Sequence, residues 1–141
     1  MNFVYRADFT PDQDGGFLVT FADVAEAITH GETHEAALSN AVEALGLALR
    51  GYLADGRPLP TPAVASGTPV AVDAEDAIKL ALIDAFRASG ISKTELARRL
   101  GKNEAEARRL LDPDHPSKTG AMQSALRTLG KSISITVLEA A

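Results

Sequence analysis

Two short helices joined by a tight turn are predicted over residues 92–111, and this pattern limits the possible folds more than any other feature of the chain. Ser92 and Asn103 are favourable N-cap residues, and each precedes a glutamate by three positions, as in a capping box. Gly101 stands where the first helix must end, and glycine adopts the left-handed conformation of a helix C-cap without steric cost. The spacing therefore indicates a helix-turn-helix.

Each predicted helix has one apolar face through which the pair can pack. The apolar residues are Leu96, Ala97 and Leu100 in the first helix and Ala107, Leu110 and Leu111 in the second. The opposite faces are rich in basic and polar side chains, which contact phosphates and base edges in DNA-binding proteins. We therefore predict a DNA-binding surface made of Lys93, Thr94, Lys102, Asn103, Glu104, Arg108, Arg109 and Lys118.

Different roles are expected within this surface. Arg108 and Arg109 would contact bases or phosphates, Asn103 would contact a base edge or only cap its helix, and the lysines and the threonine would contact phosphates. Glu104 and Glu106 place negative charge at the start of the second helix, where carboxylates repel phosphate and are limited to accepting from cytosine N4. A single copy should therefore bind DNA weakly. A charged helical hairpin can also be merely a solvated surface, and spacing alone leaves this alternative open.

The segment Leu-Ala-Arg-Arg-Leu-Gly at residues 96–101, followed by Ala107 and then by Arg109-Leu110, resembles the phage-repressor type (Xre-like) of helix-turn-helix domain. In that family a small alanine and a turn glycine hold fixed positions. The resemblance implies that the second helix recognises an operator. Because of its acidic residues, we expect oligomerisation to assist DNA binding.

The absence of cysteine excludes disulfides, thiolate metal sites and a cysteine nucleophile, and it is typical of a reducing compartment. No N-terminal segment has the basic start and apolar run of a signal peptide, and no apolar stretch approaches membrane-spanning length. We expect a soluble cytoplasmic protein without a cofactor. A length of 141 residues allows one ordinary domain or two small ones.

The two parts of the chain differ in charge. Residues 1–72 contain three arginines and nine acidic side chains, a net charge of −6, whereas residues 73–141 contain eleven basic and ten acidic side chains, a net charge of +1. An acidic part suits a basic protein and repels nucleic acid, while a nearly neutral part with a local basic cluster suits DNA. The sequence therefore predicts two partners of opposite charge.

Alternating apolar and polar residues predict three strands at the start of the chain, over residues 2–10, 17–21 and about 25–30. The first two are joined by a turn rich in aspartate and glycine, which indicates a hairpin. Thr33 then caps a long helix that ends near Gly56. This order places the first three strands and the helix in one unit.

A closing strand is expected at about residues 70–72, after a proline-rich segment over 57–62 that cannot continue the helix. It completes a β-β-β-α-β unit. The predicted organisation is a first domain over residues 1–62, a linker over 63–72 that contains the closing strand, and a second domain over 73–141.

The second domain is expected to be helical with one terminal strand, so the fold class is α+β. Helices are predicted from Asp73 to about Ser89 and around residues 121–129, where Gly130 ends the last one. Residues 132–138 alternate in the manner of a strand. A lone strand has unpaired edges, so its expected partner is the same strand of a second copy, in a dimer or a tetramer.

Three features of residues 1–62 together resemble the HicB antitoxin family. They are the hairpin turn Gly15-Gly16-Phe17, the strand Val19–Asp23, and the segment Thr29–Ala37 that leads into an alanine-rich helix containing Val42-Glu43-Ala44-Leu45. HicB proteins frequently carry a C-terminal DNA-binding domain of the helix-turn-helix or ribbon-helix-helix type. The two resemblances therefore occur in the right order along the chain.

The resemblance to HicB implies a reduced RNase H-like fold for the first domain and an antitoxin function for the whole. The first domain would neutralise a HicA-type toxin, a small basic RNA-cleaving protein, and the second would bind an operator and repress the toxin and antitoxin genes. The resemblance does not tell which residues contact the toxin. The alternative is a stand-alone DNA-binding regulator whose acidic domain senses a ligand or a protein, and the absence of a neighbouring toxin gene would favour it.

Catalytic and metal-binding roles lack the necessary residues. A nuclease needs several carboxylates that converge on Mg²⁺; Asp8 and Asp23 lie on or beside strands, and Glu43 is the one helical carboxylate that could join them. His30 and His34 are four positions apart, but the intervening glycine and helix cap keep them from sharing a helical face. We predict that the protein is not an enzyme and has neither a catalytic nor a metal site.

Overall fold

A four-stranded antiparallel sheet forms the first part of the computed structural model, which describes residues 1–139. Its strands are β1 (Val4–Pro11), β2 (Phe17–Phe21), β3 (Ile28–Gly31) and β4 (Thr68–Ala71). They lie in the order β3-β2-β1-β4, so β1 is central and pairs with both β2 and β4. The predicted closing strand is therefore formed, slightly earlier in the sequence than expected.

Helices make up the rest of the regular structure. Within residues 1–139 they are α1 (His34–Ala54), α2 (Ala74–Ser89), α3 (Lys93–Leu100), α4 (Glu104–Leu110) and α5 (Thr119–Thr128). The predicted α+β fold class, with a β-β-β-α-β unit followed by helices, is confirmed. In the part of the chain that the structure describes, no helix combines the length and apolar character required to cross a membrane.

The inner face of the sheet packs against α1. The Thr33 hydroxyl accepts from the Ala36 amide at 3.1 Å and caps this helix, as predicted. The helical spacing of Leu38, Val42, Leu45, Leu49 and Tyr52 or Leu53 predicts the buried face of α1, but Leu38 and Val42 are only half-buried. Small residues take their place, and the short alanine side chains let the helix lie close to the sheet. The buried residues of α1 are Ala37, Ala41, Leu45, Gly46, Leu49 and Leu53.

The proline-rich segment after α1 is held on the rest of the first part by two polar side chains. The Tyr5 hydroxyl donates to the Pro60 carbonyl at 2.7 Å, and the Asp23 carboxylate accepts from the amides of Ala63 and Val64 at 2.9 and 3.0 Å. Burial raises the pKa of Tyr5 to about 12, and the hydrogen bonds from Val64 and Ala63 lower the pKa of Asp23. These contacts fix the path by which the chain reaches β4.

Contacts between the sheet-and-α1 unit and the later helices are both apolar and ionic. Their buried side chains form one connected hydrophobic cluster. At its edge, the Arg50 guanidinium of α1 lies 2.9 Å from the Asp76 carboxylate of α2 and 3.6 Å from that of Asp114. Arg87 donates to the Leu53 carbonyl at the end of α1 at 2.5 Å. Because the two parts share one hydrophobic cluster, the domain boundaries expected at residues 62 and 73 stay a prediction from sequence.

The terminal strand predicted over residues 132–138 is not formed in the single chain, where residues 131–139 have no regular structure. A strand needs a hydrogen-bonded neighbour, and within residues 1–139 no strand of the sheet pairs with this segment. Three of its apolar side chains are exposed, with relative accessibilities of 72% for Ile135, 91% for Val137 and 47% for Leu138. The rest of the single chain therefore leaves these three apolar side chains uncovered.

Candidate nucleic-acid and protein interfaces

The turn between α3 and α4 is built largely as its sequence predicts. The Ser92 hydroxyl accepts from the Glu95 amide at 3.0 Å, and Gly101 ends α3 with a φ of +66°. At the start of α4, the Glu106 amide donates to Asn103 Oδ1 at 2.8 Å while the Asn103 amide donates to Glu106 Oε2 at 3.0 Å. The second predicted capping box is therefore complete.

The capping box predicted at Ser92 is only half formed, because the Glu95 carboxylate is engaged elsewhere. It accepts two bonds from Arg98, at 2.6 and 2.8 Å, and one from Arg99, at 2.9 Å. These hydrogen bonds lower the pKa of Glu95 to about 2 and raise the pKa of Arg98. One carboxylate thus pairs with two of the three cations of α3 and offsets one unit of their charge.

The inner faces of α3 and α4 are buried, as predicted from their apolar spacing. Leu96 and Ala107 are fully inaccessible, Ala97 and Leu110 nearly so, and Leu100 is half-buried. The small alanines allow the two short helices to approach closely. The pair therefore presents a fixed outer surface.

The side chains predicted to contact DNA are all exposed: Lys93, Thr94, Lys102, Asn103, Glu104, Arg108, Arg109 and Lys118. The structure brings three of them together. Glu104 Oε2 accepts from the Thr94 hydroxyl at 3.3 Å, and Oε1 accepts from Arg108 at 2.6 Å. Glu104 therefore links α3 to α4 and neutralises Arg108, whose charge is then less available to a phosphate.

Four of the predicted contacts are cations without a carboxylate partner in the part of the chain that the structure describes. Among residues 1–139, no carboxylate lies within 4.0 Å of the cationic group of Lys93, Lys102, Arg109 or Lys118. Asn103 has its side-chain oxygen occupied by the capping box. The positive charge that this surface exposes without a carboxylate partner therefore comes from these four cations and not from Arg108.

Sequence reasoning missed one residue that supports this surface. Lys79 of α2 is buried and donates hydrogen bonds to backbone carbonyls at the end of α4. No local pattern marks it, because it is one lysine in an otherwise ordinary amphipathic helix and its partners lie about thirty positions further along the chain. A buried lysine becomes recognisable only when its acceptors are known.

A second exposed surface lies on the sheet face opposite α1. Leu18 and Ile28 have relative accessibilities of 40% and 61%. Because Thr20 pairs with Ile28 and Leu18 pairs with His30 across β2 and β3, the two apolar side chains are diagonal neighbours on this face. Asp8, opposite Thr20 on β1, adds an exposed carboxylate. This outer sheet face thus presents two neighbouring apolar side chains among polar ones, in an acidic part of the chain.

The residues considered for metal binding are not assembled into a site. Across residues 1–139, no group of three or more histidine, aspartate or glutamate side chains could hold a metal ion. His30 Nε2 lies 3.6 Å from an Asp12 oxygen and 3.3 Å from the Gly15 carbonyl, while the His34 ring stacks on Phe9 at 4.8 Å. The two histidines therefore have separate surroundings, consistent with their separation in sequence by a glycine and a cap.

The carboxylates considered for a nuclease centre are also dispersed in the part of the chain that the structure describes. Asp23 accepts two backbone amides beside the proline-rich segment, which gives it a structural role. Asp8 lies on the outer sheet face and Glu43 on the exposed side of α1. They do not converge as two-metal catalysis requires.

Comparisons with known proteins agree on one family. The family model described as the HicB-like antitoxin of bacterial toxin-antitoxin systems matches residues 4–83. The antitoxin HicB of Escherichia coli strain K12 is 38% identical over 95% of this chain and 99% of its own length. Antitoxin HicB 2 of Photorhabdus laumondii is 35% identical over 97% of this chain and 98% of its own. Antitoxin HicB of Pseudomonas fluorescens is 36% identical over 89% and 88%.

Proposed function

The chain belongs to the HicB antitoxin family, and from that premise we propose that it neutralises a HicA-type toxin with its first part and represses its own operon with α3 and α4. Its relatives are named as antitoxins, which is a regulatory role rather than a catalytic one. The observation that carries the proposal is the contrast between the apolar outer sheet face in an acidic part and the exposed cations around α4.

The outer sheet face is the surface that we assign to the toxin. Leu18 and Ile28 provide neighbouring apolar contacts, and an exposed apolar patch is typical of a protein-binding site. The surrounding part of the chain has a net charge of −6, which complements the basic character that the family resemblance implies for the toxin. An RNA-cleaving toxin covered by this acidic part would also be kept from its anionic substrate.

The α3–α4 pair is the part that we assign to operator DNA. Its two capped and closely packed short helices support our assignment of a helix-turn-helix, a motif in which the second helix enters the major groove. Lys93, Lys102, Arg109 and Lys118 supply phosphate-binding charge, while Glu104 limits it. Weak binding by one copy is the expected consequence.

A second copy of the chain would overcome this weakness. We assign the dimer contact to residues 132–138, where Ile135, Val137 and Leu138 are exposed in the single chain and the segment could pair with the same segment of another copy. Truncation after Gly130 should then lower the molar mass measured by light scattering and weaken operator binding. An unchanged molar mass would contradict this assignment.

Expression of the neighbouring reading frame tests the antitoxin function most directly. If that frame encodes a basic protein whose induction stops growth, co-expression of this chain should restore growth, and the two proteins should co-purify. Failure of both would favour the alternative of a stand-alone DNA-binding regulator.

Gel-shift assays with the promoter region of the operon test the second function. The double variant Arg108→Ala with Arg109→Ala should lose promoter binding while it still restores growth in the presence of the toxin. Retained DNA affinity would show that α4 is not the recognition helix. Loss of both activities would show that the two functions are not separable in the way we propose.

A further inference from the structure

One buried charge belongs to neither proposed surface. Lys79 lies between Ile78 and Leu80 in α2, and its relative accessibility is 4%. Removing an ammonium group from water is unfavourable unless hydrogen bonds replace its hydration. Burial accordingly lowers the pKa of Lys79, which Asp112 partly opposes. The surroundings of its Nζ atom must therefore compensate for the loss of water.

Three oxygen atoms provide this compensation. Nζ donates to the carbonyls of Arg109 and Leu110 at 3.1 and 2.9 Å and to the Ser117 hydroxyl at 2.7 Å. An ammonium group has three N–H donors, so each of them is used. The two carbonyls belong to the last turn of α4, where carbonyls lack partners within the helix and the dipole is negative. Lys79 is thus a C-terminal cap supplied to α4 by another helix.

This cap can determine where α4 lies. The helix has seven residues, too few to be stable without tertiary contacts. Its apolar contacts through Ala107 and Leu110 are not directional, whereas hydrogen bonds to two particular carbonyls are directional and define both its axial position and its rotation. The ammonium binds the backbone of Arg109, whose side chain is exposed, and the side chain of Ser117, which directly precedes Lys118.

We propose that Lys79 is a positioning residue for DNA recognition, which holds Arg109 and Lys118 in the arrangement that fits one DNA site. The inference rests on the DNA-binding function proposed above. Lys79 itself touches no DNA, since it is buried beneath α4. Loss of Lys79 leaves the charges of Arg109 and Lys118 in place but removes the contact that fixes their positions, so Arg109 could no longer reach one base with fixed geometry. The effect should therefore appear in the preference for the correct sequence more than in the number of phosphates contacted.

The test compares Lys79→Met with Lys131→Met in the full-length chain. Methionine keeps most of the apolar length of the lysine side chain, and Lys131 is exposed, so its replacement controls for the loss of one positive charge. Binding is measured by fluorescence anisotropy over a series of salt concentrations. The probes are a duplex from the promoter region of the operon and a scrambled duplex of the same length and composition.

Lys79→Met should bind the promoter duplex about tenfold more weakly, because Arg109 would no longer be held where it can contact a base. Its affinity for the scrambled duplex and the slope of log affinity against log salt should stay unchanged, since every exposed cation that can neutralise a phosphate is still present. Lys131→Met should retain the preference for the promoter duplex. Circular dichroism and toxin binding should show that Lys79→Met is folded.

Unchanged promoter affinity in folded Lys79→Met would overturn the inference, and so would an equal loss on both duplexes with a smaller salt slope. If Lys79→Met does not fold, Ser117→Ala takes its place, because it removes one acceptor and leaves the two carbonyl bonds. It should reduce the promoter preference by a few-fold, and an unchanged preference would overturn the inference. A wild-type chain that does not prefer the promoter duplex would overturn both this inference and the proposed operator binding.

Discussion

The two parts of the molecule use their positive charges in opposite ways. In residues 1–72, Arg6, Arg50 and Arg57 contact a carbonyl, a carboxylate and an aromatic ring of the same chain, respectively. Around α3 and α4, by contrast, several cations have no carboxylate partner within residues 1–139: Lys93, Lys102, Arg109 and Lys118. The two surfaces therefore differ less in net charge than in the number of cations that are free to bind a phosphate. In the first part, each arginine already contacts another group of the chain.

The largest effect is expected from a charge placed on the outer sheet face. Ile28→Lys introduces a cation at the most exposed apolar position of that face and should weaken toxin binding at least about thirtyfold, as for a central interface residue. Isothermal titration calorimetry with the purified toxin measures this. Operator binding should remain within about twofold of the wild type, because Ile28 belongs to β3 and forms none of the hydrogen bonds or ion pairs described for α3 and α4.

Leu47→Lys is the matched control for this prediction. Leu47 is equally exposed, at 63%, but it lies on α1 and not on the outer sheet face. Its replacement should leave toxin binding nearly unchanged. If Leu47→Lys abolishes binding and Ile28→Lys does not, the toxin binds the helical side of the first part. If Ile28→Lys weakens DNA binding instead, the assignment of one partner to each part is wrong.

The next largest effect is a difference in operator affinity between variants of two adjacent arginines of α4, Arg108 and Arg109. Arg109→Ala should weaken operator binding by about tenfold, because its charge has no carboxylate partner in the described chain. Arg108→Ala should have a smaller effect, since Glu104 already binds Arg108 at 2.6 Å. Glu104→Gln should strengthen binding several-fold by releasing Arg108 and removing a negative charge that faces phosphate. Gel shifts at one fixed salt concentration give all three values.

A reversed order would change the interpretation of α4. If Arg108→Ala costs more affinity than Arg109→Ala, the Glu104–Arg108 pair must open when DNA binds. If Glu104→Gln weakens binding, Glu104 acts as a hydrogen-bond acceptor for a base, as cytosine N4 would require. Either result would mean that the side chains of α4 rearrange when DNA binds, so that the pairing of cations seen in the free chain does not determine their effect on affinity.

The caps of α3 and α4 could be predicted from sequence because their determinants are local. Ser92, Gly101 and Asn103 act on groups within three or four positions of themselves, so spacing is sufficient. The partner of the Glu95 carboxylate could not be predicted in this way, because two arginines one turn away compete with the backbone for it. Charge-assisted hydrogen bonds to arginine are stronger than a bond to one amide.

Contacts between distant parts of the chain could not be predicted in this way. Lys79 meets α4 about thirty residues later, and Tyr5 meets Pro60 across fifty-five positions. Such pairs depend on how the elements pack, which no periodicity encodes. The prediction of a strand over residues 132–138 failed for the same reason. Alternation identifies a segment that can pair, but a strand also needs a neighbouring strand, which the single chain does not supply.

Substitution of two glycines of α1 tests the Arg50–Asp76 ion pair, which joins the first part of the chain to α2. A Cβ atom at Gly51 would meet no heavy atom within 4 Å, so Gly51→Ala should raise the free energy of unfolding by about 1 kcal/mol through helix propensity. A Cβ atom at Gly46 would lie 2.6 Å from Asp76 Oδ2 and would displace the partner of Arg50. Gly46→Ala should therefore gain less, measured by urea unfolding, and an equal gain would show that the Arg50–Asp76 pair contributes nothing.

The smallest effect concerns Glu95, whose pKa is lowered from 4.5 to about 2 in the folded chain. Because the folded value is below the unfolded one, the stabilisation by Glu95 is complete above pH 4.5 and is lost as the pH falls towards 2. The difference in unfolding free energy between wild type and Glu95→Gln should shrink over this range, and solvent screening at this exposed site keeps it small. Glu43→Gln, an exposed change on α1 outside any ion pair described, should remove less of the pH dependence. Equal behaviour of the two variants would mean that Glu95 does not hold Arg98 and Arg99 in solution, and that α3 offers DNA two more cations than the contrast between the two parts allows.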